Sequence, residues 1–204
     1  MARITDYATL VTAIGDYLAR SDLSGYIPNF LQNVESKLYR SLRLRAQETA
    51  LSGTIASGVL ALPADYLELK HAYIDGSPIT FLERSTPETI YKQFPVRSAS
   101  GTPRLIATEG DNFIFGPYPD DTYSISGIYY KQLTSLSASN TTNWFTTNAP
   151  DVLLYGALLE AQPFLMNDKR IPTWMQFYQE ALETVNRQER RQKYSGSTLA
   201  IRTA

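Results

Sequence analysis

The hydrophobic period of this 204-residue chain changes twice, and that constrains its fold more than any single motif does. Tyr7, Leu10, Val11, Ile14, Tyr17 and Leu18 recur at the 3.6-residue spacing of one helix face, with Thr5 or Asp6 able to cap the start. Ser21-Asp22 and Ser24-Gly25 break the pattern. Ile27, Phe30, Val34, Leu38 and Leu42 resume it, with Pro28 in the first turn, where a missing N–H costs little. The spacing predicts an antiparallel helix pair. The helical period returns after Asn148-Ala149-Pro150. Residues 151–165 read as a helix apolar on most sides, and hence buried by its neighbours. A last helix from near Pro172 carries Trp174, Phe177, Ala181, Leu182 and Val185, after which the apolar stripe stops.

Between the helical stretches Gly, Pro, Ser and Thr become frequent and the apolar runs shorten. Residues 54–56 and 59–62 flank Ser57-Gly58, and residues 66–74 and 79–82 flank Asp75-Gly76, the stronger hairpin signal because Asp-Gly supplies positive φ. Residues 105–107 and 113–115 flank a third turn, and residues 123–130, rich in β-branched and aromatic side chains, read as a further strand. Ser85-Thr86-Pro87-Glu88 is a helix-start signature for a short helix reaching about Phe94. The predicted class is α+β: an antiparallel bundle of about four helices with a small antiparallel β unit inserted between the second and third. The boundaries are 1–46 and 147–194 for the two halves of the bundle, 47–146 for the β unit and 195–204 for an extended C-terminal tail.

Composition narrows the chemistry. The chain has no cysteine, which removes disulfides, iron–sulfur sites and thiol nucleophiles, and its one histidine, His71, removes a multi-imidazole zinc site. A carboxylate-built Mg²⁺ or Ca²⁺ site stays open. Phosphate-cradling glycine loops are absent, and His71 sits in a candidate strand with no nucleophile elbow. Carboxylate pairs such as Asp65 with Glu68, or Glu160 with Asp168, acquire meaning only from their separation in space. No catalytic residue, metal or cofactor is expected. No stretch approaches the roughly 20 apolar residues of a membrane span, and the start lacks a signal peptide's apolar run, so synthesis in a host cytoplasm and no membrane partner are expected.

Charge is more informative than its total. A net charge of −1 divides into +4 from Lys37, Arg40, Arg43 and Arg45, +4 over residues 186–204, and −9 elsewhere. Each basic run has an ordinary explanation, cations favoured at a helix C-terminus by the macrodipole. The functional alternative is docking onto acidic surfaces of a partner or a neighbouring copy. The loss of apolar stripe followed by a loose tail bearing Leu199 and Ile201 suits a segment that orders on binding. The 14 tyrosines suit surfaces buried against partners, or simply strands and core.

Four stretches in order carry a family resemblance: Tyr7-Ala8-Thr9-Leu10 through Ser21-Asp22-Leu23 to Ile27-Pro28-Asn29-Phe30; Arg43-Leu44-Arg45 leading to Leu62-Pro63-Ala64-Asp65-Tyr66; Tyr129-Tyr130 followed by Asn143-Trp144-Phe145 and Ala149-Pro150-Asp151; and Trp174 to Arg190-Arg191 with Tyr194-Ser195-Gly196-Ser197. Over nearly its whole length the chain resembles tailed-bacteriophage adaptors, the head-to-tail connector proteins of tail tubular protein A-like and podovirus type. The resemblance implies a structural virion protein at the head–tail interface and not an enzyme. It also implies a twelvefold ring of neighbouring copies joining the portal protein to the tail nozzle or another tail protein. DNA would pass only transiently through the channel during ejection. It places portal or neighbour contacts on Arg187, Arg190, Arg191, Lys193, Tyr194, Leu199 and Ile201, and makes Lys37, Arg40, Arg43 and Arg45 candidates for an intersubunit or channel-facing basic surface. The alternatives are a tail-associated peptidoglycan hydrolase and a nucleic-acid-binding module.

Overall fold

Asp6 begins the first helix with a reciprocal cap: its carboxylate accepts the Thr9 N–H at 2.9 Å, and the Thr9 hydroxyl oxygen accepts the Asp6 N–H at 3.0 Å. The computed structural model describes residues 3–55, 57–166 and 168–194. Six α-helices lie among the described residues: α1 (Tyr7–Leu18), α2 (Ile27–Ser41), α3 (Pro87–Gln93), α4 (Trp144–Asn148), α5 (Pro150–Glu160) and α6 (Ile171–Tyr194). Seven strands accompany them: β1 (Glu48–Ile55), β2 (Val59–Ala61), β3 (Tyr66–Ile74), β4 (Thr80–Arg84), β5 (Leu105–Glu109), β6 (Asn112–Gly116) and β7 (Tyr123–Lys131). The chain divides into two compact units, Met1–Arg45 with Leu133–Ala204, and Ala46–Gln132.

The expected bundle of about four helices with a small antiparallel insertion is corrected. Ala46–Gln132 forms a single seven-stranded mixed sheet in the order β1-β7-β3-β4-β5-β6-β2. β1 and β2 stand at the two ends of that order, yet only residues 56–58 join them, so the sheet curls toward closure as a near-barrel. Ser57-Gly58 does turn sharply, with φ of 54° and 78°, but the flanking strands pair elsewhere: β1 with β7, and β2 with β6. The Asp75-Gly76 and Gly110 turns do close antiparallel hairpins, β3–β4 and β5–β6. β4 and β5 run parallel because α3 carries the chain across between them, a connection that local periodicity does not reveal. Leu51, Ile55, Leu69, Ile106, Phe113 and Ile125 fill the interior. On the outside, α3 covers β5 and β6 through Ile90, Ala107 and Ile114.

The helical unit is organised by α5, where Val152, Leu153, Ala157 and Leu158 are fully buried on different sides of the helix. Its neighbours α1, α2 and α6 all pack on it, and Gly156 permits close approach: a Cβ there would sit 2.8 Å from Val34 and 3.1 Å from Tyr178. α5 ends at Glu160, earlier than the expected 165, and a short 3₁₀ turn over Gln162–Phe164 follows. Phe177, expected on the buried stripe of α6, is exposed and meets the Tyr155 ring at 5.2 Å.

One buried charge holds the returning chain. Glu35 on α2 is only 1% exposed, and both its oxygens accept the Leu136 N–H at 3.1 Å. It also accepts the Asn143 side-chain N–H at 2.8 Å, while Asn143 caps α4 by accepting the Thr146 N–H at 3.1 Å. Residues 133–143 thereby belong to the helical unit, whose second stretch begins at Leu133, whereas composition suggested a boundary at 146/147. Burial raises the Glu35 carboxyl above its ordinary value, with the Leu136, Asn143 and Tyr39 hydrogen bonds pulling the other way.

Two predictions follow from this packing. A raised folded value favours the protonated carboxyl, so the contribution of Glu35 to stability is full below its ordinary pH range and declines as pH rises through the folded value. Glu35→Gln removes that slope, so urea titrations from pH 4 to 7 should show variant stability improving relative to wild type as pH rises. Gly127 lies mid-strand in β7, where a Cβ would strike the His71 carbonyl oxygen and sit 2.9 Å from Ala72 Cα. Gly127→Ala should cost about 2–3 kcal/mol by the same denaturation assay, whereas Gly25→Ala, with open space around it, should stay within about 0.5.

Candidate functional site

α2 ends in a cluster of cations that the fold uses in different ways. The Lys37 ammonium pairs with Glu160 of α5, so this charge is neutralised within the helical unit. Arg40 turns back along its own helix and donates to the Ser36 carbonyl at 3.1 Å. Arg43 donates to the Tyr39 and Leu42 carbonyls at 2.8 and 2.9 Å, capping acceptors that the helix end leaves open and sitting where the macrodipole favours a cation. The next contact joins the two basic runs. The backbone N–H of Arg45 donates to Glu189 Oε2 at 2.9 Å, across 144 positions of sequence.

That bond sets the chain leaving α2 against the last turns of α6. Arg187, Arg190 and Arg191 fall at i, i+3 and i+4 on α6, so they share one face, and all three are exposed. Arg187 makes only a long contact with Glu183, at 3.9 Å. Glu189, the one acid between residues 186 and 194, is committed to the Arg45 amide. The result sets the end of the first basic run, at the exposed Arg45, against the helix that displays the three arginines of the second. Lys193 and Tyr194 lie on the α6 backbone, with side chains outside the described residues; Leu199, Ile201 and the rest of the predicted tail also lie outside them.

Each of the carboxylates Asp65, Glu68, Glu160 and Asp168 is engaged by a different partner. Asp65 accepts the Tyr129 hydroxyl at 2.8 Å, and burial with this carboxylate pushes the phenol up to about 12. Glu68 faces Arg84 at 3.6 Å. A cavity of about 410 Å³ is lined by Glu68, Arg84, Ser85 and Thr108 with apolar neighbours, but Asp65 does not line it. Glu160 is paired with Lys37, and Asp168 with Arg170 at 2.6 Å, which holds the Asp168 carboxyl below its usual range. His71 stands on the outer face of β3, its ring stacked near Tyr73 at 6.5 Å. Among the described residues no group of three or more acidic or histidine side chains is arranged to hold a metal ion, and no helix is long and apolar enough to cross a membrane.

Sequence reasoning reached both basic runs but missed Glu189 as the residue that unites them. The Arg45–Glu189 bond also has a measurable weight. Glu189→Ala should lower unfolding free energy by about 0.5–1.5 kcal/mol in urea titration, the net range for a typical intramolecular hydrogen bond, because this one is exposed to solvent. Glu183→Ala, which loses only an exposed long contact, should change it by less than about 0.5 kcal/mol.

Comparison with protein families finds that residues 5–202 match the model of the SU10 adaptor protein. Comparison with curated proteins returns no match.

Proposed function

Because the chain belongs to the SU10 adaptor protein family, a phage head–tail adaptor family, and is thus a structural adaptor component of the virion, we propose that it forms a ring joining the capsid portal to the tail. Twelve copies would surround a passage through which DNA moves only transiently. The observation that carries this reading is the Arg45–Glu189 bond, which sets the end of the first basic run against the helix that displays the second. Arg187, Arg190 and Arg191, exposed on one face of α6, offer side chains for acidic groups of a partner. Residues 195–204 extend that contact with Leu199 and Ile201 as apolar anchors. On this reading α6 and the tail meet the portal, Arg40, Arg43 and Arg45 face a neighbouring copy or the channel, and a tail nozzle or other tail protein sits on the distal side.

The two units carry opposite charge. The helical unit holds 13 Lys and Arg against 10 Asp and Glu, and the sheet unit 6 against 10, giving +3 and −4. A cyclic ring needs two different surfaces on each copy, and opposite charge on two units supplies a register for their meeting.

The test is assembly on the cognate portal. The full chain mixed with portal should give ring-shaped complexes by electron microscopy. Deleting residues 195–204, or replacing Arg187, Arg190 and Arg191 together with Ala, should weaken association at least tenfold, with the triple replacement also flattening its salt dependence. Failure of the intact chain to associate with portal overturns the reading.

A further inference from the structure

The sheet has an outer face that the chain covers only in part. α3 lies over β5 and β6, whereas β3 and β4 carry a row of rings on the outer face, the half-buried His71 and Tyr73 and the exposed Phe81, with ring centres 6.5 and 5.8 Å apart. Strand register explains the row. Tyr73 is paired directly with Phe81, while their sequence neighbours Ala72 and Leu82 turn inward and are buried. Phe81 is 64% exposed and Ile79 beside it 47%. Of the charged residues nearest in sequence, Lys70 pairs with Glu48 at 2.8 Å and Arg84 faces Glu68 at 3.6 Å, which leaves Asp75 and Glu83, both exposed and acidic.

The helical unit carries a second apolar cluster of similar size. Tyr26, Phe30 and Phe164 form a triangle of rings 5.2 to 6.5 Å apart, with Tyr26 and Phe164 nearly half exposed. Met166, two residues after Phe164, is 97% exposed, the highest value of any large apolar side chain described. Arg20 donates to the Phe164 carbonyl at 3.0 Å and pairs with Asp22, and Arg170 pairs with Asp168, so the exposed Lys169 is the charge nearby in sequence that these ion pairs leave over. This anatomy, aromatic and methionine side chains with charge confined to the margin, is that of the central part of a protein interface.

Resting on the ring reading above, we infer that the two clusters are the two halves of one contact between copies: the Tyr26–Phe164–Met166 knob of one copy seats on the Tyr73–Phe81–Ile79 face of the next. A second copy fits both patches. They lie on units of opposite net charge, and their margins differ in sign, with Lys169 at the knob and Asp75 and Glu83 at the face. Self-pairing of either patch across a two-fold axis would set margins of the same sign against each other. A heterologous contact of this kind propagates head to tail, as ring formation requires.

The absence of native cysteine makes the test direct. Full-length Met166→Cys and Phe81→Cys chains are prepared separately, then oxidised with copper phenanthroline alone and as an equimolar mixture, with and without portal. The expected result is a two-chain band on a non-reducing gel at least tenfold stronger in the mixture than in either variant alone. A mixture of Phe81→Cys with Thr134→Cys, an exposed position away from the knob, reports random collision and should give no such band. Equal bands from one variant alone would reveal a two-fold contact and overturn the inference. So would absence of a mixture-specific band both with and without portal, the result expected if a portal or tail protein covers these patches. Co-sedimentation of the same samples with portal separates the two ideas. Portal binding without the cross-link rejects this contact and leaves the portal reading standing, while the cross-link without portal binding does the reverse.

Discussion

The helical unit is built from two stretches of chain separated by the whole sheet unit, and the Glu35 carboxylate is a buried polar contact that registers the second stretch on the first. Its acceptor oxygens take the Leu136 amide and the Asn143 side chain, and Asn143 in turn starts α4. α5 follows directly from Pro150 and supplies the apolar surface against which α1, α2 and α6 pack. Hydrophobic burial of α5 provides most of the driving force, because non-directional burial scales with area. It does not choose a register. A buried carboxylate with a fixed set of donors does, since any other placement leaves a charge and two N–H groups unsatisfied at low dielectric. Burial raises the carboxyl above its ordinary value even with these donors, so this specificity carries an electrostatic cost.

The same division between bulk and direction applies to the charged surface. Lys37 and Arg43 serve the helical unit itself, one through Glu160 and the other by capping α2. What remains for other molecules is displayed by α6, where Glu189 has been drawn to the Arg45 amide and three arginines share an exposed face. The chain is an adaptor of the SU10 family, a structural component of the virion. The chemistry on the surface accords with that: guanidinium groups, which pair bidentately with carboxylates, and aromatic side chains at solvent. The carboxylates once considered for hydrolysis each have a structural occupation, Asp65 with Tyr129 and Glu68 with Arg84.

Much of the local structure was legible because it depends on neighbours within a few residues. Asp6 and Thr86 announce helix starts through side chains that accept an N–H three positions on, and Asp75-Gly76 and Gly110 mark turns that do close hairpins. The basic runs were equally plain, since charge is read directly from residue type. The errors fall where partners are distant. β1 and β2 look like one hairpin, but β1 finds β7 and β2 finds β6, and the parallel β4–β5 pair depends on the path of α3. Phe177 obeys the helical period of α6 and is nevertheless exposed, because periodicity identifies a face without saying that anything covers it.

Sequence alone therefore determined where helices and strands begin, which residues turn the chain, where positive charge accumulates, and which catalytic chemistries lack their reagents. Those properties are set by backbone sterics, capping and composition, which act over a turn or two. Tertiary structure alone decided that seven strands form one mixed, nearly closed sheet instead of a small insertion in a bundle. It also decided that Glu35 anchors the returning segment and that the end of the first basic run is set against the helix of the second through Glu189. Strand pairing and buried polar contacts are choices among many partners with similar local preferences. They are resolved only by the joint requirement that every buried group find a neighbour, and that requirement exists in the folded chain and not in any window of its sequence.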